Sequence, residues 1–537
     1  MLRKVIVWGI VSVLMVGLVA IAETNVPETP EANVGGTLTV GLQSTLSSLD
    51  PRLVNDTYGQ HVRNAIFDGL LTVGPDLQVR PYVAKSWEIF EGHTIFYLNE
   101  GITFHNGEEL TAEDVAFTLN WIVNPENNSM LQWIFRWLKE VVVVDDYTVD
   151  FINEPEFTPY MPQFVTLTMG FASIVPKDTV LEMGNEAFNL HPIGSGPYKF
   201  VEWKSGDHIT LERNEEYWLT YPNLDRVIFR IIPEASVMML ALESGEIDVS
   251  DTVTTQDISR LRKNPEIEIL QSPSLRYVML EFNMTTSPSD DIRYRKAVYM
   301  SVDVDAAVKA VYGDTAIRAY GTTPPILWSN DVEYLRDYVA LEENDEEAKR
   351  IFAGLKAEGV IPEDFKTEII TPNDTCRRQL ATIFATNLQQ NGIDAEVRVL
   401  EWGPILQLLG RSDADPTLKD VHQVVFSGGG DGDPHNMPYF QFHSDNASLG
   451  SSNNFTWYRN PAVDTLIDKA DTSTDQEVRR LCYVHAVRIA LQDYVHVPLA
   501  FLTITQGVRA RVHGFTVNPD GAIGLCGPYM NVWVEKQ

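Results

Sequence analysis

Helical and strand-like segments alternate along this chain, and this alternation is the feature that most restricts its fold. The clearest case is RRQLATIFATNLQQNGIDAEVRVLEW, residues 377–402, where apolar residues first recur at helical spacing. The pattern stops at Asn391-Gly392 and then alternates as in a strand. A helix, a turn and a strand in this order are typical of an α/β domain. We therefore predict an α/β fold with mixed sheets.

Other segments extend this pattern along the chain. We predict a helix that starts at Thr111 with acid in its first turn, and a helix that ends at Gly245 before a strand. We also predict three pairs of neighbouring strands, which are TIFYLNEGITFHNG (residues 94–107), VVVVDDYTVDFIN (residues 141–153, turned at Asp145-Asp146) and YKFVEWKSGDHITLERN (residues 198–214, turned at Ser205-Gly206-Asp207).

The first residues predict secretion. Two basic residues precede an apolar run over residues 5–19, and Ala20-Ile21-Ala22 supplies a small-residue cleavage site. We expect residues 1–22 to be a cleaved signal peptide and residues 23–35 to be a flexible acidic lead-in. A membrane anchor is the alternative, although the run is short for a span of about 20 residues. Because no cysteine lies near the cleavage site, we expect a free periplasmic protein without a lipid anchor.

Charge restricts the partners of the chain. Its 74 acidic residues against 41 basic ones give a formal net charge of −33, and loss of residues 1–22, with two positive charges and no negative one, brings it to −35. Such a charge repels nucleic acid and anionic membrane surfaces, so we expect no nucleic-acid partner. The 537 residues exceed one ordinary hydrophobic core and indicate two or three domains.

Catalytic signatures are missing from the sequence. The nearest approach to a serine-nucleophile elbow is Gly194-Ser195-Gly196, whose outer glycines stand too close together, so we interpret it as a tight turn. No zinc-protease motif or phosphate-binding loop is present. Cys376, Cys482 and Cys526 fit no zinc spacing and allow at most one disulfide, and we expect buried small hydrophobic residues. We predict a protein that is not an enzyme and that needs no cofactor.

The stretch SGGGDGDPHN, residues 427–436, combines glycine with acid. It does not fit a calcium loop, and it lacks the lysine and the hydroxyl of a phosphate loop. A carboxylate in a glycine-rich bend suits a cationic or hydroxyl-bearing ligand group, because glycine lets the backbone approach closely. His422, His435 and His443 leave a metal site open as an alternative. Nearby loop aromatics are candidates for a cleft wall, namely Trp402, Tyr439, Phe440, Phe455, Trp457 and Tyr458.

Six spaced segments together resemble one family. They are SLDPRLVNDTYGQHVRNAIFDGLL, RPYVAKSWEIFEGHTIFYLNEGITFHNGEELTAEDVAFTL, HPIGSGPYKFVEWKSGDHITLERNEEYW, ALESGEIDV, DDIRYRKAVYMSVDVDAAVKAVYG and YRNPAVDTLIDKA. In this order they resemble the bacterial extracellular solute-binding proteins of family 5, the oligopeptide- and dipeptide-binding proteins of ABC importers and their relatives. The resemblance runs from about Leu49 to the C-terminus, and Asn99 departs from the basic residue usual at its position.

The resemblance implies a type II periplasmic-binding-protein fold of the large three-domain variety, with two lobes and a hinge between them. By similarity we expect domain I at residues 36–73, 189–282 and 507–537, with domain II, residues 74–188, inserted in it. Domain III is expected at residues 283–506. A ligand would be enclosed as the lobes close.

The resemblance also bears on the ligand site. Residues 427–436 fall where peptide binders carry an aspartate that pairs with the ligand's α-amino group, but that place, four residues before the proline, is Gly430. Asp431 comes one residue later. The arginine that dipeptide binders use for the ligand carboxylate has no counterpart in EIITPNDTC, residues 368–376. The resemblance therefore favours a longer peptide held through its backbone, or an oligosaccharide stacked on aromatic rings, over a dipeptide clamped at both ends.

We predict the periplasmic substrate-binding component of an ABC importer, a monomer that captures an oligopeptide and delivers it to the two permease subunits. An oligosaccharide receptor and a nickel-chelate or haem receptor are alternatives within the family, and a secreted hydrolase is an alternative of another class. We predict three groups of ligand-binding residues: Asp431 or Asp433 as polar anchor, Gly429 and Gly430 at a close backbone approach, and Trp402, Trp457 and Tyr439 in the cleft wall.

Overall fold

The computed structural model of the chain describes residues 34–54, 56–74, 77–132, 134–154, 173–401, 404–405, 408, 422–429, 432–447, 454–473 and 475–535. The predicted signal peptide and three candidate site residues, Trp402, Gly430 and Asp431, lie outside the described residues.

Strands and helices are mixed throughout the described chain. The strands are β1 (Thr37–Leu42), β2 (Leu71–Val73), β3 (Val79–Pro81), β4 (Ala84–Phe90), β5 (His93–Leu98), β6 (Leu138–Asp145), β7 (Thr148–Asn153), β8 (Tyr198–Lys204), β9 (His208–Arg213), β10 (Arg226–Ile231), β11 (Val249–Ser250), β12 (Ile267–Phe282), β13 (Ala316–Arg318), β14 (Lys366–Pro372), β15 (Asp394–Leu400), β16 (Gln423–Gly429), β17 (His496–Arg509), β18 (Val512–His513) and β19 (Trp533–Val534). The α-helices are α1 (Thr57–Ile66), α2 (Ala112–Val123), α3 (Lys177–Met183), α4 (Asn185–Leu190), α5 (Ala235–Ser244), α6 (Thr255–Leu261), α7 (Ile292–Met300), α8 (Val304–Tyr312), α9 (Val332–Val339), α10 (Asp345–Ala357), α11 (Thr375–Gln390), α12 (Asn436–Phe442), α13 (Pro461–Asp471) and α14 (Gln476–Gln492).

One large mixed sheet runs through the molecule. Its strand order is β15-β14-β16-β12-β17-β11-β1-β10-β9-β8, and β13 pairs with β17. β1 is parallel to β10 and β11, whereas β12 is antiparallel to both β16 and β17. The long strands β12 and β17 therefore join one half of the sheet, built from β1 and β8 to β11, to the other half, built from β14 to β16. The mixed α/β architecture predicted from the sequence is confirmed.

The half of the sheet that holds β14 and β16 is covered on both faces. Val425 and Val278 pack in the cluster that includes Phe384 of α11. Their strand neighbours Phe426 and Tyr277 pack in a separate cluster on the opposite face. Because successive strand residues point to opposite faces, a sheet covered on both sides requires an unbroken apolar run, which VVF in β16 supplies.

A smaller sheet, in the order β4-β5-β7-β6, forms a second body of structure. β6 and β7 make an antiparallel hairpin, and α2 lies beside it with its own buried core. α2 begins after Thr111, whose side chain and that of Asp114 form a reciprocal capping box. The start of this helix is therefore explained by its sequence.

Most predicted elements of local structure are confirmed. The strand pairs around residues 145–146 and 205–207 form as predicted, and the helix that ends at Gly245 has that glycine in the left-handed conformation. The predicted hairpin over residues 94–107 is wrong, because β5 pairs with β4 and β7 instead. After Leu98 the chain turns at two glycines of positive φ, and Ile102 and Phe104 enter the core between them.

Two further features bear on the sequence predictions. In the part of the chain that the structure describes, no helix is long and apolar enough to cross a membrane. The three cysteines are free, with Cys482 and Cys526 buried and Cys376 half-buried.

Candidate ligand-binding cleft

Two cavities lie on opposite faces of the ladder formed by β12 and β17. Ser272 is the cross-strand partner of Ile504, and both line a cavity of about 440 Å³. Thr503 and Thr505, the neighbours of Ile504, point to the other face and line a cavity of about 1050 Å³. We call them the α1 cavity and the α11 cavity after the helices that contribute to their walls.

The α1 cavity lies between distant parts of the chain. One wall comes from α1, through Thr57, Gln60 and Asn64, and from the C-terminal segment over residues 516–530. The opposite wall includes Ile326, Gly429 and Gly432. Cavities of this volume are the usual size of small-molecule sites. The location between segments joined by the two long strands fits a ligand that is enclosed from both sides.

Arg276 and Gly429 are the two residues of β12 and β16 that line both cavities. They are cross-strand partners in the antiparallel ladder. Arg276 is exposed, and its guanidinium makes no hydrogen bond, ion pair or ring contact with a described residue. A Cβ added to Gly429 would meet nothing within 4 Å. A cationic group and an uncovered stretch of backbone therefore lie side by side where the cavities meet.

One edge of β16 is open beyond its first residues. β14 pairs with Gln423 and Val424 only, whereas β12 pairs along the whole strand. From Val425 to Gly429 the edge that faces away from β12 has no neighbouring strand among the described residues. Unpaired backbone N–H and C=O groups on such an edge can pair with an extended chain.

Asp251 follows β11 and accepts a hydrogen bond from the Gln43 backbone N–H at 2.9 Å. Burial raises its pKa to about 7, although the hydrogen bonds from the backbone oppose this shift. Burial and Asp251 also raise the pKa of Tyr58, while Arg276 lowers it. Tyr58 is therefore close enough to Asp251 and to Arg276 to interact electrostatically with each of them.

The predicted anchor Asp433 takes part in a buried ion pair. Its Oδ1 accepts hydrogen bonds from Arg479 Nη2 and from the His435 backbone N–H, both at 2.8 Å. The two paired side chains are 7% and 5% exposed. Asp433 is placed in neither cavity, so its ligand-binding role stays a prediction. Gly429, from the same stretch, is at the cavities.

The predicted wall residues Tyr439 and Trp457 do not line the two cavities. Tyr439 lies on helix α12 rather than in the predicted loop, stacked between His435 and His443 at ring distances of 4.8 and 5.1 Å. Trp457 is 5% exposed and packs against Ala447. The role of both residues in a cleft wall stays a prediction. The loop position predicted for Tyr439 is wrong because residues 436–442 form a helical turn that packs on α14.

The three candidate metal-binding histidines are engaged elsewhere. His435 Nδ1 lies 2.7 Å from Asp471 Oδ1, and His443 Nε2 lies 3.2 Å from Asp468 Oδ1. His422 is buried against the ring of Phe365. Among the residues that the structure describes, no group of three or more His, Cys, Asp or Glu side chains is arranged to hold a metal ion.

Ser195, the residue nearest to a nucleophile signature, is fully buried. Its Oγ donates a hydrogen bond to Asp68 Oδ2 at 2.9 Å. The same carboxylate accepts from Tyr82 and Trp218, so the group is a satisfied structural network. Gly194 and Gly196 press against the backbone of Ile66, which explains the tight turn predicted here.

Sequence reasoning missed Arg276. A single arginine in an alternating strand is most often a solvated surface residue. The sequence around Arg276 therefore did not indicate a ligand-binding residue. The position becomes distinctive only through the strand order, which brings it opposite Gly429.

Comparisons with known proteins agree with this geometry. Residues 78–449 match the family described as bacterial extracellular solute-binding proteins, family 5 Middle. The chain is similar to the dipeptide-binding protein of Escherichia coli, at 29% identity over 83% of this chain and 85% of that protein. It is also similar to the probable di/tripeptide-binding protein 5 of Pseudomonas aeruginosa, at 28% identity over 82% and 85%.

A solved structure extends the similarity to the fold. The DppA periplasmic binding protein of Helicobacter pylori, an ABC transporter-associated protein solved in complex with the peptide STSA, is 27% identical. The match has a TM-score of 0.76 and covers 94% of this chain and 99% of that one.

Proposed function

The chain belongs to the bacterial extracellular solute-binding proteins of family 5, and on this premise we propose that it captures short peptides between two closing lobes and delivers them to the permease of an ABC importer. The relatives named above carry dipeptide or di/tripeptide binding in their names, and one was solved with a bound peptide. The family and its solved relatives are binding proteins, which favours a receptor that releases its ligand unchanged.

The open edge of β16 is the observation that carries the proposal. A peptide laid along residues 425–429 would exchange backbone hydrogen bonds with this edge and extend the sheet by one strand. Gly428 and Gly429 keep the strand free of bulky side chains at its end. Recognition of this kind depends on the peptide backbone and tolerates different side chains.

The long strands β12 and β17 supply the hinge in this proposal. β12 pairs with β17 along most of its length, with a break in register between Pro273 and Tyr277. On one side of the break lies the hydrophobic cluster that includes Val249 and Val508, and on the other the cluster that includes Val278 and Leu499. Separate cores joined by two strands favour rotation of whole lobes.

We propose the domain division expected from the sequence on the same grounds. Domain I takes residues 36–73, 189–282 and 507–537, domain II takes residues 74–188, and domain III takes residues 283–506. The separate core of the four-stranded sheet supports the inserted domain. We further propose a monomer that is secreted by cleavage of residues 1–22 without a lipid anchor.

An oligosaccharide ligand finds less support. Sugars bind through aromatic faces, and among the described residues of the α1 cavity the one aromatic ring is Tyr529. Arg80 already lies over that ring, at 5.5 Å from its centre.

Isothermal titration calorimetry tests the proposed function. We expect defined peptides of two to six residues to bind with a Kd of about 1 μM, roughly −8 kcal/mol, because the ligand has to be released to a permease. Hexose and pentose oligomers serve as the comparison and should not bind. Mass spectrometry of the peptide after a long incubation should recover it intact. Peptide cleavage would favour a hydrolase, and saturation by a sugar alone would refute the peptide proposal.

A further inference from the structure

Among the described residues, four charged side chains line the two cavities, and they differ in their partners. Asp374 accepts from the Arg377 backbone N–H at 2.8 Å and lies 3.4 Å from Arg377 Nε. Asp520 accepts from the Ala522 backbone N–H at 2.8 Å and from Gln60 Nε2 at 3.4 Å. Arg276 is the one that has no partner among the described residues.

Ion pairs with acids are common among the arginines of the large sheet. With 74 acidic residues against 41 basic ones, carboxylates are the commonest charged neighbours, and most arginines of the large sheet have one. Arg230, Arg318 and Arg398, for example, are each paired with an acid. Arg226 of β10 also has no ion pair with a described residue, but it lies outside both cavities, whereas Arg276 lines them.

The position of Arg276 suits ligand recognition. The residue pairs with Gly429 of β16, and the ladder with β17 resumes at its neighbour Tyr277. Gly429 opposite it has no side chain and leaves open space beside the strand. A guanidinium presents two parallel N–H donors that match the two oxygens of a carboxylate.

We infer that Arg276 binds a carboxylate of the ligand, and that the preferred peptides therefore carry a free carboxylate near the segment that pairs with β16. This inference rests on the proposed function and deepens it by naming the ligand group. The carboxylate comes either from the C-terminus of the peptide or from an acidic side chain. In both cases the guanidinium N–H groups donate and the carboxylate oxygens accept.

The test uses three matched peptides of one length and the full mature protein. The first has neutral side chains and a free C-terminus, the second is its C-terminal amide, and the third is the amide with one glutamate side chain. Each is titrated into wild type, Arg276→Gln and Arg276→Lys by calorimetry. Arg398→Gln is the control, since Arg398 is an exposed strand arginine outside both cavities.

We expect the free acid to bind wild type about tenfold or more tightly than the amide, as for loss of a charge-assisted hydrogen bond. Arg276→Gln should remove this preference, Arg276→Lys should keep part of it, and Arg398→Gln should leave it unchanged. If only the free acid binds more tightly than the plain amide, the C-terminus is the source of the carboxylate. If only the glutamate-bearing amide does, the acidic side chain is the source, and if both do, either carboxylate satisfies Arg276.

Two results would overturn the inference while the proposed function stands. One is equal binding of all three peptides by wild type. The other is a loss of affinity in Arg276→Gln that is the same for acid and amide, since that would show a contact unrelated to charge. Failure of every peptide to bind wild type would overturn the proposed function and this inference together.

Discussion

Arg276 and Gly429 face each other across β12 and β16, and both line the cavities on the two faces of the β12–β17 ladder. A side chain added at Gly429 would therefore project into open cavity space and not into the core. Its neighbour Gly428 differs, because a Cβ there would lie 3.2 Å from Met437 Cε and from Gln441 Nε2. Gly428 lines the α11 cavity as well, but only at Gly428 would an added side chain be crowded by α12.

We predict that Gly429→Leu lowers peptide affinity at least tenfold and changes the free energy of unfolding by less than about 1 kcal/mol. Gly429 does not have a positive φ, so leucine fits its backbone. Gly428→Leu is the matched control and should cost about 1–3 kcal/mol through crowding against α12. Urea denaturation and calorimetry measure the two effects. Full affinity in folded Gly429→Leu would show that the ligand does not reach this strand end.

A second prediction concerns the buried pair of Asp433 and Arg479. Asp433→Ala should reduce the free energy of unfolding by about 3–5 kcal/mol, because it leaves a buried guanidinium without its carboxylate. Asp445→Ala is the control, since Asp445 is 75% exposed and should have little effect. Peptide affinity of the folded variant should stay within about threefold of wild type. A specific loss of peptide binding at unchanged stability would instead restore Asp433 to the ligand site.

Local structure was largely predictable from the sequence, and pairing between distant segments was less so. The turn at Gly206 and the helix end at Gly245 follow from residues within a few positions, and both are confirmed. The hairpin expected over residues 94–107 failed because the apolar alternation of Ile102 and Phe104 also fits core positions between two turns. Alternation alone does not say which partner strand is available.

A third prediction concerns a contact between the proposed domains II and III. Arg136 lies over the rings of Tyr439 and Phe440, at 4.9 and 5.2 Å from their centres. Such contacts are worth about 0.5–2 kcal/mol, or about 2- to 30-fold in an equilibrium. Arg136→Gln should therefore shift the unliganded protein towards a more open form and weaken peptide binding by this factor.

Small-angle X-ray scattering checks this shift through the radius of gyration without ligand. The control is Arg336→Gln, which removes the contact of Arg336 with Tyr320 inside one lobe and should leave the shape unchanged. Identical radii and affinities for wild type and Arg136→Gln would show that the contact does not hold the lobes together.

A fourth prediction concerns pH. The pKa of Asp251 is about 7 in the folded protein and about 3.9 in the unfolded chain, so the folded state binds more protons between these values. The contribution of Asp251 to the free energy of unfolding is therefore greatest below about pH 4 and is lost as the pH rises to 7. Asp251→Asn removes this loss, and its gain in stability over wild type should grow from about 1 kcal/mol at pH 4.5 to about 4 kcal/mol at pH 8. Denaturant titrations at both pH values test this, and a constant difference would contradict it.

The site itself was only partly predictable. The glycine-rich stretch was identified by composition, and Gly429 lies at the cavities. The aromatic candidates were chosen because they stood near turns, but Trp457 and Tyr458 are buried in the core. Arg276 could not be found because its importance depends on a strand order that connects residues far apart in the sequence.

The central claim is that the chain captures short peptides. Native mass spectrometry of the protein secreted by its own host, followed by denaturation to release the bound molecules, tests this claim most directly. We predict a set of masses that fragment as peptides of two to six residues, each with a free carboxylate. Release of sugars or of a metal chelate as the bound species, with no peptide, would contradict the account.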